Sequence, residues 1–400
     1  MLLTIHAAAS ICMWMNDVTA AWVMTSITSS PRMVALVQSA TTLPIFLLGL
    51  PGGALADMFD RRCFLLVSQL WAATVALLYC ITLALHEMSP ALLLLLTFAN
   101  GVGMAMRWPV LSALVPETVP RMMLQGALSL NSVAFNTSRI VGPLIAGAVI
   151  ASLGSVYVFA LNAALSSLAV WMILRWKRQP DPPRGMARNQ LGAAIRAGVL
   201  HVGRSARLRG ILLRVVLFFT HTMALIALLP LVARQLHGAG ATTFTLMLMA
   251  MGCGAVVSTA FVLPRARQSM SADILLGGGS LLMSASMLAV AVAPNVMLAL
   301  LAMLVAGVAW TTVANSLSVP MQLALPDAVR ARGMSIHMVC MMGSSALGAA
   351  FWGQIAALTG VAVALGLSAA SSVLCLWAMR KQRLGHAFGT EVPAPDPDGP

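Results

Sequence analysis

The sequence predicts an all-α integral membrane protein of twelve transmembrane helices arranged as two pseudo-symmetric six-helix halves. Three observations carry that expectation: an apolar composition, a regular alternation in the placement of basic residues, and a loose internal repeat. Of the 400 residues, 60% are hydrophobic and 9% charged, and the mean hydropathy is +0.90. A water-soluble domain carries about 25% charged residues and about 45–50% apolar ones. A soluble fold of this length could not bury the excess, whereas a bilayer is itself an apolar solvent.

A spanning helix takes about 20 predominantly apolar residues. Apolar runs bounded by Gly, Pro and charged residues place the spans at roughly 2–28, 32–56, 63–86, 90–112, 126–151, 155–175, 209–234, 241–264, 272–293, 295–318, 333–358 and 360–380. Most connections are short, so sequential helices run antiparallel. The exception is the polar stretch from about 176 to 208.

Basic residues set the orientation. With both termini in the cytoplasm, nineteen basic residues lie on the inner side: Arg61, Arg62, Arg121, nine in the central stretch between Arg175 and Arg209, then Arg265, Arg267, Arg330, Arg332, Arg380, Lys381 and Arg383. Two lie outside, Arg32 and Arg234. That asymmetry follows the positive-inside rule. It also explains the formal charge of +13 as a topology label, so no nucleic-acid partner is expected.

The chain divides into residues 1–175, a basic linker 176–208, residues 209–383 and a tail 384–400. Pro116-Glu117, after the fourth span, is echoed by Pro326-Asp327 after the tenth. Two such halves joined by a long loop match the parallel-repeat plan of one transporter class. In the linker, Leu191, Ile195, Val199 and Val202 recur at helical spacing, which suggests a helix on the membrane surface; a solvated basic linker is the alternative. The Pro-rich, acidic tail reads as disordered. The opening MLLTIHAAAS has neither a basic stretch nor a small-residue cleavage site, so no cleavable signal peptide is expected. The six cysteines show no CxxC or metal spacing and read as small core residues, with no metal and no cofactor expected.

The segment GALADMFDRR (53–62) resembles the signature loop between helices 2 and 3 of the major facilitator superfamily. It supplies Gly53, Asp57, Arg61 and Arg62 at that spacing. RIVGPLIAG (139–147) resembles the Gly-Pro element on helix 5 that marks antiporters there. WMNDVTAAWVMTSITSSP (14–31), TLPIFLLGLPGGALAD (42–57), ALSLNSVAFNTSRIVGP (127–143) and ALLPLVARQL (227–236) are similar to the transmembrane secretion effector group within that superfamily, an exporter group. The resemblance covers nearly the whole chain and implies the major facilitator fold. It also implies alternating-access transport, a bacterial inner-membrane location and a cytoplasmic latch at Gly53, Asp57, Arg61 and Arg62. The chain departs from the pattern in three places. Asp60 stands where the signature usually has Gly, the usual helix-4 arginine is not cleanly placed because Arg107 lies near that helix's cytoplasmic end, and no basic residues precede the first span.

The residues themselves support parallel readings. Asp57 at the membrane edge can accept hydrogen bonds from Arg61 or Arg62, or from a helix N-terminus; a plain basic turn is the alternative. Gly142 and Gly147 permit close helix packing and Pro143 removes a backbone donor, which suits a hinge; ordinary small-residue packing is the alternative.

Charged residues inside spans cost about 2.5–3.5 kcal/mol on insertion scales and are functional candidates by default. Asp17 shares a helical face with Trp14 and follows Asn16. It can carry a proton, or serve as a structural partner for Arg139 or Arg107. Arg139 lies on a polar stripe with Asn136 and Pro143; it stays charged and suits an anionic group. Arg107 and Arg214 lie closer to the inner ends and can snorkel. His221 and His337 titrate near neutral pH in the open, although a satisfied core histidine is the commoner role.

No nucleotide-binding GxxxxGK[ST] and no catalytic constellation is present, so no enzymatic activity is expected. The expected function is a proton-coupled exporter of small molecules, acting as a monomer in the lipid bilayer. Alternatives are a siderophore or lipid-like substrate on the same fold, and a non-transporting membrane scaffold or sensor.

Overall fold

A computed structural model describes residues 2–58, 60–118, 124–175, 200, 202–236 and 240–380. These residues form long helices and no strands. The first group comprises α1 (Leu2–Ile27), α2 (Pro31–Met58), α3 (Arg61–Ala84), α4 (Pro90–Thr118), α5 (Leu124–Ser152) and α6 (Ser155–Arg175). The second comprises α7 (Ala206–Gln235), α8 (Ala241–Ser269), α9 (Ala272–Ala291), α10 (Val296–Leu323), α11 (Asp327–Thr359) and α12 (Val361–Ala378). One π-helical turn, Ser258–Val262, interrupts α8.

The helix starts follow local chemistry. Asp60, Ser205, Ser271 and Asn295 are N-caps whose side chains accept from the backbone N–H of Cys63, Leu208, Ile274 and Leu298. Each satisfies a donor that the first helical turn leaves free. The departure at Asp60 thus has a local use, since its Oδ1 lies 2.8 Å from the Cys63 nitrogen.

Ten segments among the described residues are long and apolar enough to cross a membrane. The two expected spans missing from that set are α1 and α5. The adjacent Asn16 and Asp17 lower the hydropathy of α1, and the apolar described part of α5, Thr137–Ser152, is short. The count of twelve spans therefore remains an expectation, while the membrane character of the chain does not depend on it. Large apolar side chains such as Leu77, Leu95, Leu168, Leu281 and Leu374 stand exposed, as they would against lipid.

The packing repeats itself. In the first six helices α1 packs on α5, α2 on α4, and α3 on both α4 and α6. In the second six, α7 packs on α11, α8 on α10, and α9 on both α10 and α12. Between the halves the main contacts are α2 with α11 and α5 with α8, a pair that exchanges under the same relation. Glycines mark the equivalence. Gly101, Gly142, Gly147 and Gly154 recur 206 positions later as Gly307, Gly348, Gly353 and Gly360. Gly101 admits the α2 backbone at Thr41, and Gly307 admits the α8 backbone at Met251. Gly142 lies against Trp14 of α1, and Gly348 against Thr220 of α7. Gly154 and Gly360 take positive φ values of 104° and 92°, turning α5 into α6 and α11 into α12, a backbone region other residues rarely adopt.

The linker from 176 to 199 and the tail from 384 to 400 lie outside the described residues, as does Arg121.

Candidate functional site between the halves

Arg139 stands midway along α5. Its guanidinium carbon lies 5.7 Å from the ring centroid of Trp14 on α1 and 5.7 Å from that of Trp310 on α10. One indole belongs to each half, so the cation is shared across the interface. Trp310 is backed by Phe218 and Phe219 of α7, with edge-to-face centroid separations of 6.1 and 5.2 Å. Close packing fixes the geometry: Gly142, three residues after Arg139, has no room for a Cβ against Trp14. The indole faces attract the cation electrostatically but accept none of its five N–H donors. Among the described residues no side chain or carbonyl accepts a hydrogen bond from Arg139.

Asp17 makes no ion pair with Arg139 among the described residues. Its Oδ1 is shielded from solvent and accepts no hydrogen bond from them. It lies within electrostatic reach of Tyr79 on α3. The neighbouring Asn16, 1% exposed, turns toward α6, where Asn162 donates to its Oδ1 at 3.4 Å. Asn16 therefore ties helices together inside the first half. So does Arg107, which donates to Gln69 Oε1 of α3 at 3.1 Å.

Arg214 and His221 are placed apart from Arg139. Both line a crevice within the second half, between α7, α9 and α12. His221 Nδ1 lies 2.6 Å from the Leu217 carbonyl oxygen. His337 is buried on α11.

The side chains of Asp57, Arg61 and Asn136, and the surroundings of Gly53, lie outside the described part of the structure. Arg62 is described. It donates from Nε to Ile173 O at 3.3 Å and from Nη2 to Leu174 O at 2.8 Å. These are last-turn carbonyls of α6, where a cation complements the helix dipole. On the helix-5 element, Gly147 packs against Thr245 of α8 across the interface, and Pro143 stands inside the helix.

Three groups escaped the sequence reading. Trp310 is the far wall of the Arg139 site; the available signal was the one indole of α10, placed where its apolar half gives way to Thr311, Thr312, Asn315 and Ser316. Ser39 on α2 donates to the Ala346 carbonyl of α11 at 2.7 Å. At the end where α1 and α7 finish, Arg234 donates from Nε to Thr25 Oγ1 at 2.8 Å and lies 4.8 Å from the Trp22 centroid. Trp22 in turn stacks with Phe244 of α8 at 6.1 Å. The signal for Arg234 was its position, as one of the two arginines on the side where basic residues are scarce.

Two six-helix halves meeting around a central charged group define the major facilitator architecture. The chain belongs to the transmembrane secretion effector family, whose sequence profile matches residues 1–393. It is similar to the uncharacterised MFS-type transporter YfiS of Bacillus subtilis, 27% identical over 37% of this chain and 35% of that one. It is 22% identical to the staphyloferrin A transporter of Staphylococcus aureus over 63% of each chain. It is 26% identical to the enterobactin exporter EntS of Salmonella typhimurium over 39% of this chain and 38% of that one. The aligned regions thus span less than two thirds of these curated relatives. Among solved structures, a peptide transporter superposes with a TM-score of 0.76 at 14% identity, covering 97% of this chain and 95% of that one. The nucleoside transporter NupG gives 0.74 at 14%, covering 98% and 99%. At such identities the likeness is one of fold.

Proposed function

We propose that the chain is a secondary active exporter, moving a small molecule with an acidic group from the cytoplasm in exchange for protons. The observation that carries this reading is Arg139 held between Trp14 and Trp310. A cation at the meeting surface of two rocking halves, with its N–H donors unmet among the described residues, suits an anionic group that bridges both halves. The flat indoles on either side suit a planar or aromatic portion of the same molecule.

Asp17 is the proton carrier in this scheme. It lies three residues from Trp14, so one helix connects the carboxyl to the substrate wall. Substrate on Arg139 neutralises the cation; substrate release restores it, and Asp17 exchanges its proton in step. Energy comes from the ion gradient, since the sequence contains no nucleotide-binding loop. Gly53, Asp57, Arg61 and Arg62 form the inner latch, Gly142, Pro143 and Gly147 the helix-5 hinge, and the two units are 1–175 and 209–383. With the termini in the cytoplasm of a bacterial cell, the Arg234–Thr25 contact closes the outer face of a monomeric carrier in the inner membrane. Siderophores are a second reading of the substrate, favoured by the names of two relatives.

The test is substrate binding and transport by purified protein in proteoliposomes, with candidates drawn from metabolites that accumulate outside cells expressing the gene. Arg139→Gln should abolish binding of an acidic substrate, while Trp310→Leu should weaken it. Unchanged binding by Arg139→Gln would end this reading.

A further inference from the structure

The crevice between α7, α9 and α12 lies wholly within the second half and has a volume of about 590 Å³. Its mouth is polar and sits where α9 begins and α12 ends. Arg380 after α12, Asp273 in the first turn of α9 and Arg214 of α7 converge there. Arg214 is 9% exposed, and Asp273 acts on it electrostatically. Arg380 rests over the exposed Trp377 ring at 4.4 Å.

Below the mouth the lining is mainly apolar, with Leu217, Phe218 and Leu276, and it carries the hydroxyls of Ser280 and Ser372 on the way down to His221. Arg214 and His221 are seven residues apart on α7, about 10 Å at 1.5 Å per residue. Gly277 lines the shaft, and a Cβ there would meet nothing within 4 Å. Around the opening stand Ile274, 58% exposed, and Trp377, 61% exposed, on surface that would face hydrocarbon.

A polar mouth with two guanidiniums and one carboxylate, above a mainly apolar shaft flanked by exposed Ile274 and Trp377, has the layout of a phospholipid. Its net charge is positive. Guanidinium groups bind phosphate through paired N–H donors, and basic pockets between spanning helices hold anionic headgroups. We propose that this crevice seats an anionic phospholipid, with its phosphate between Arg214 and Arg380 and an acyl chain against Leu217, Phe218 and Leu276. Asp273 shares Arg214 with the headgroup and holds that side chain at the mouth when the site is empty. Inorganic phosphate offers the same oxygens but nothing for the shaft, so it should bind far more weakly. This inference is independent of the transport substrate.

The experiment is thermal unfolding of the full chain, purified in detergent and followed by tryptophan fluorescence. Phosphatidylglycerol, phosphatidylcholine of the same chains, and inorganic phosphate are added separately. A ligand that binds only the folded form raises Tm with its concentration. Phosphatidylglycerol should raise Tm saturably; the other two should not. Gly277→Phe fills the shaft without removing a contact. It should leave the lipid-free Tm unchanged and raise the half-saturating lipid concentration at least tenfold, as should Arg214→Gln. Arg380→Gln, near the end of α12, serves if either variant fails to fold. Equal shifts with the two lipids, a shift with phosphate alone, or an undiminished response in Gly277→Phe would overturn the proposal. So would a response that emerges only after residues 180–199 are replaced by a Gly-Ser linker, because the chain's own linker would then be the occupant.

Discussion

Replacing Arg234 with Gln should release the end of the molecule at which α1 and α7 finish. The side chain makes two contacts across the halves: a 2.8 Å hydrogen bond from Nε to Thr25 Oγ1 and a face contact with Trp22 at 4.8 Å. Thr25 is buried, and its own hydroxyl donates to the Trp22 carbonyl at 2.6 Å, so the acceptor is held in place. A hydrogen bond from a charged donor contributes about 1.5–3 kcal/mol, and a partly exposed cation–π contact about 0.5–1 kcal/mol. Arg234 is exposed, so solvent competes for it and the low end applies, about 1–2 kcal/mol in all. Both contacts exist only while this end is closed, so their loss passes fully into the conformational equilibrium. The open-to-closed ratio should rise about 5- to 30-fold. Spin labels at Ser29 and Gln235, in a background lacking the native cysteines, would report the two populations by pulsed dipolar spectroscopy. Unchanged distance populations in Arg234→Gln would refute the assignment of this contact as a closure.

Other expectations follow from the same geometry. Asp17→Asn keeps the shape of the side chain and removes its charge; it should abolish uphill, proton-driven transport while leaving downhill exchange measurable, and pumping in response to a pH step would defeat the coupling role. Gly254→Val should lower stability by more than about 1–3 kcal/mol, the usual cost of overpacking, because a Cβ there meets the Leu304 carbonyl; Gly278→Ala, which meets nothing within 4 Å, should be neutral or slightly stabilising in the same thermal melt. Asp57→Asn should slow transport with substrate affinity retained, and a pure affinity loss would contradict the latch. A topology reporter fused after Arg383 should be active in its cytoplasmic form only.

The helices were legible in the sequence because apolar runs and their punctuation are local properties. Residues 155–175, for instance, coincide with α6 as written. The repeat was legible in the matched Pro116-Glu117 and Pro326-Asp327 pairs, but its firmer signature is in the glycines. Gly142 and Gly348 matter because a neighbouring helix occupies the space of a missing Cβ, and that neighbour is known only in three dimensions. The charges show the same limit. Asn16 and Asp17 are adjacent in sequence, but successive helical positions are rotated by about 100°, and Asn16 is engaged with α6. Arg107 found an uncharged acceptor, Gln69, which no count of opposite charges would suggest. The two walls around Arg139 come from helices 1 and 10, and no local pattern pairs them.

The π turn in α8 limits how far one half can stand in for the other. Up to that turn the register between α2 and α8 is constant: Ala35 and Thr245, each facing a glycine of the partner half, are 210 positions apart. Past it, Leu50-Pro51 matches Leu263-Pro264 at 213, while α2 runs as uninterrupted α-helix through the corresponding stretch. A π turn takes up one added residue by widening one turn, so it accounts for one of the three residues by which the offset grows, and it brings Ser258 Oγ to within 3.0 Å of Thr312 Oγ1 on α10. In the alternating-access cycle proposed above, exchanging the conformations of the two halves would therefore misplace the C-terminal part of α8. The two facing states of that cycle would then not be images of one another, and their resting populations would have no symmetry reason to be equal.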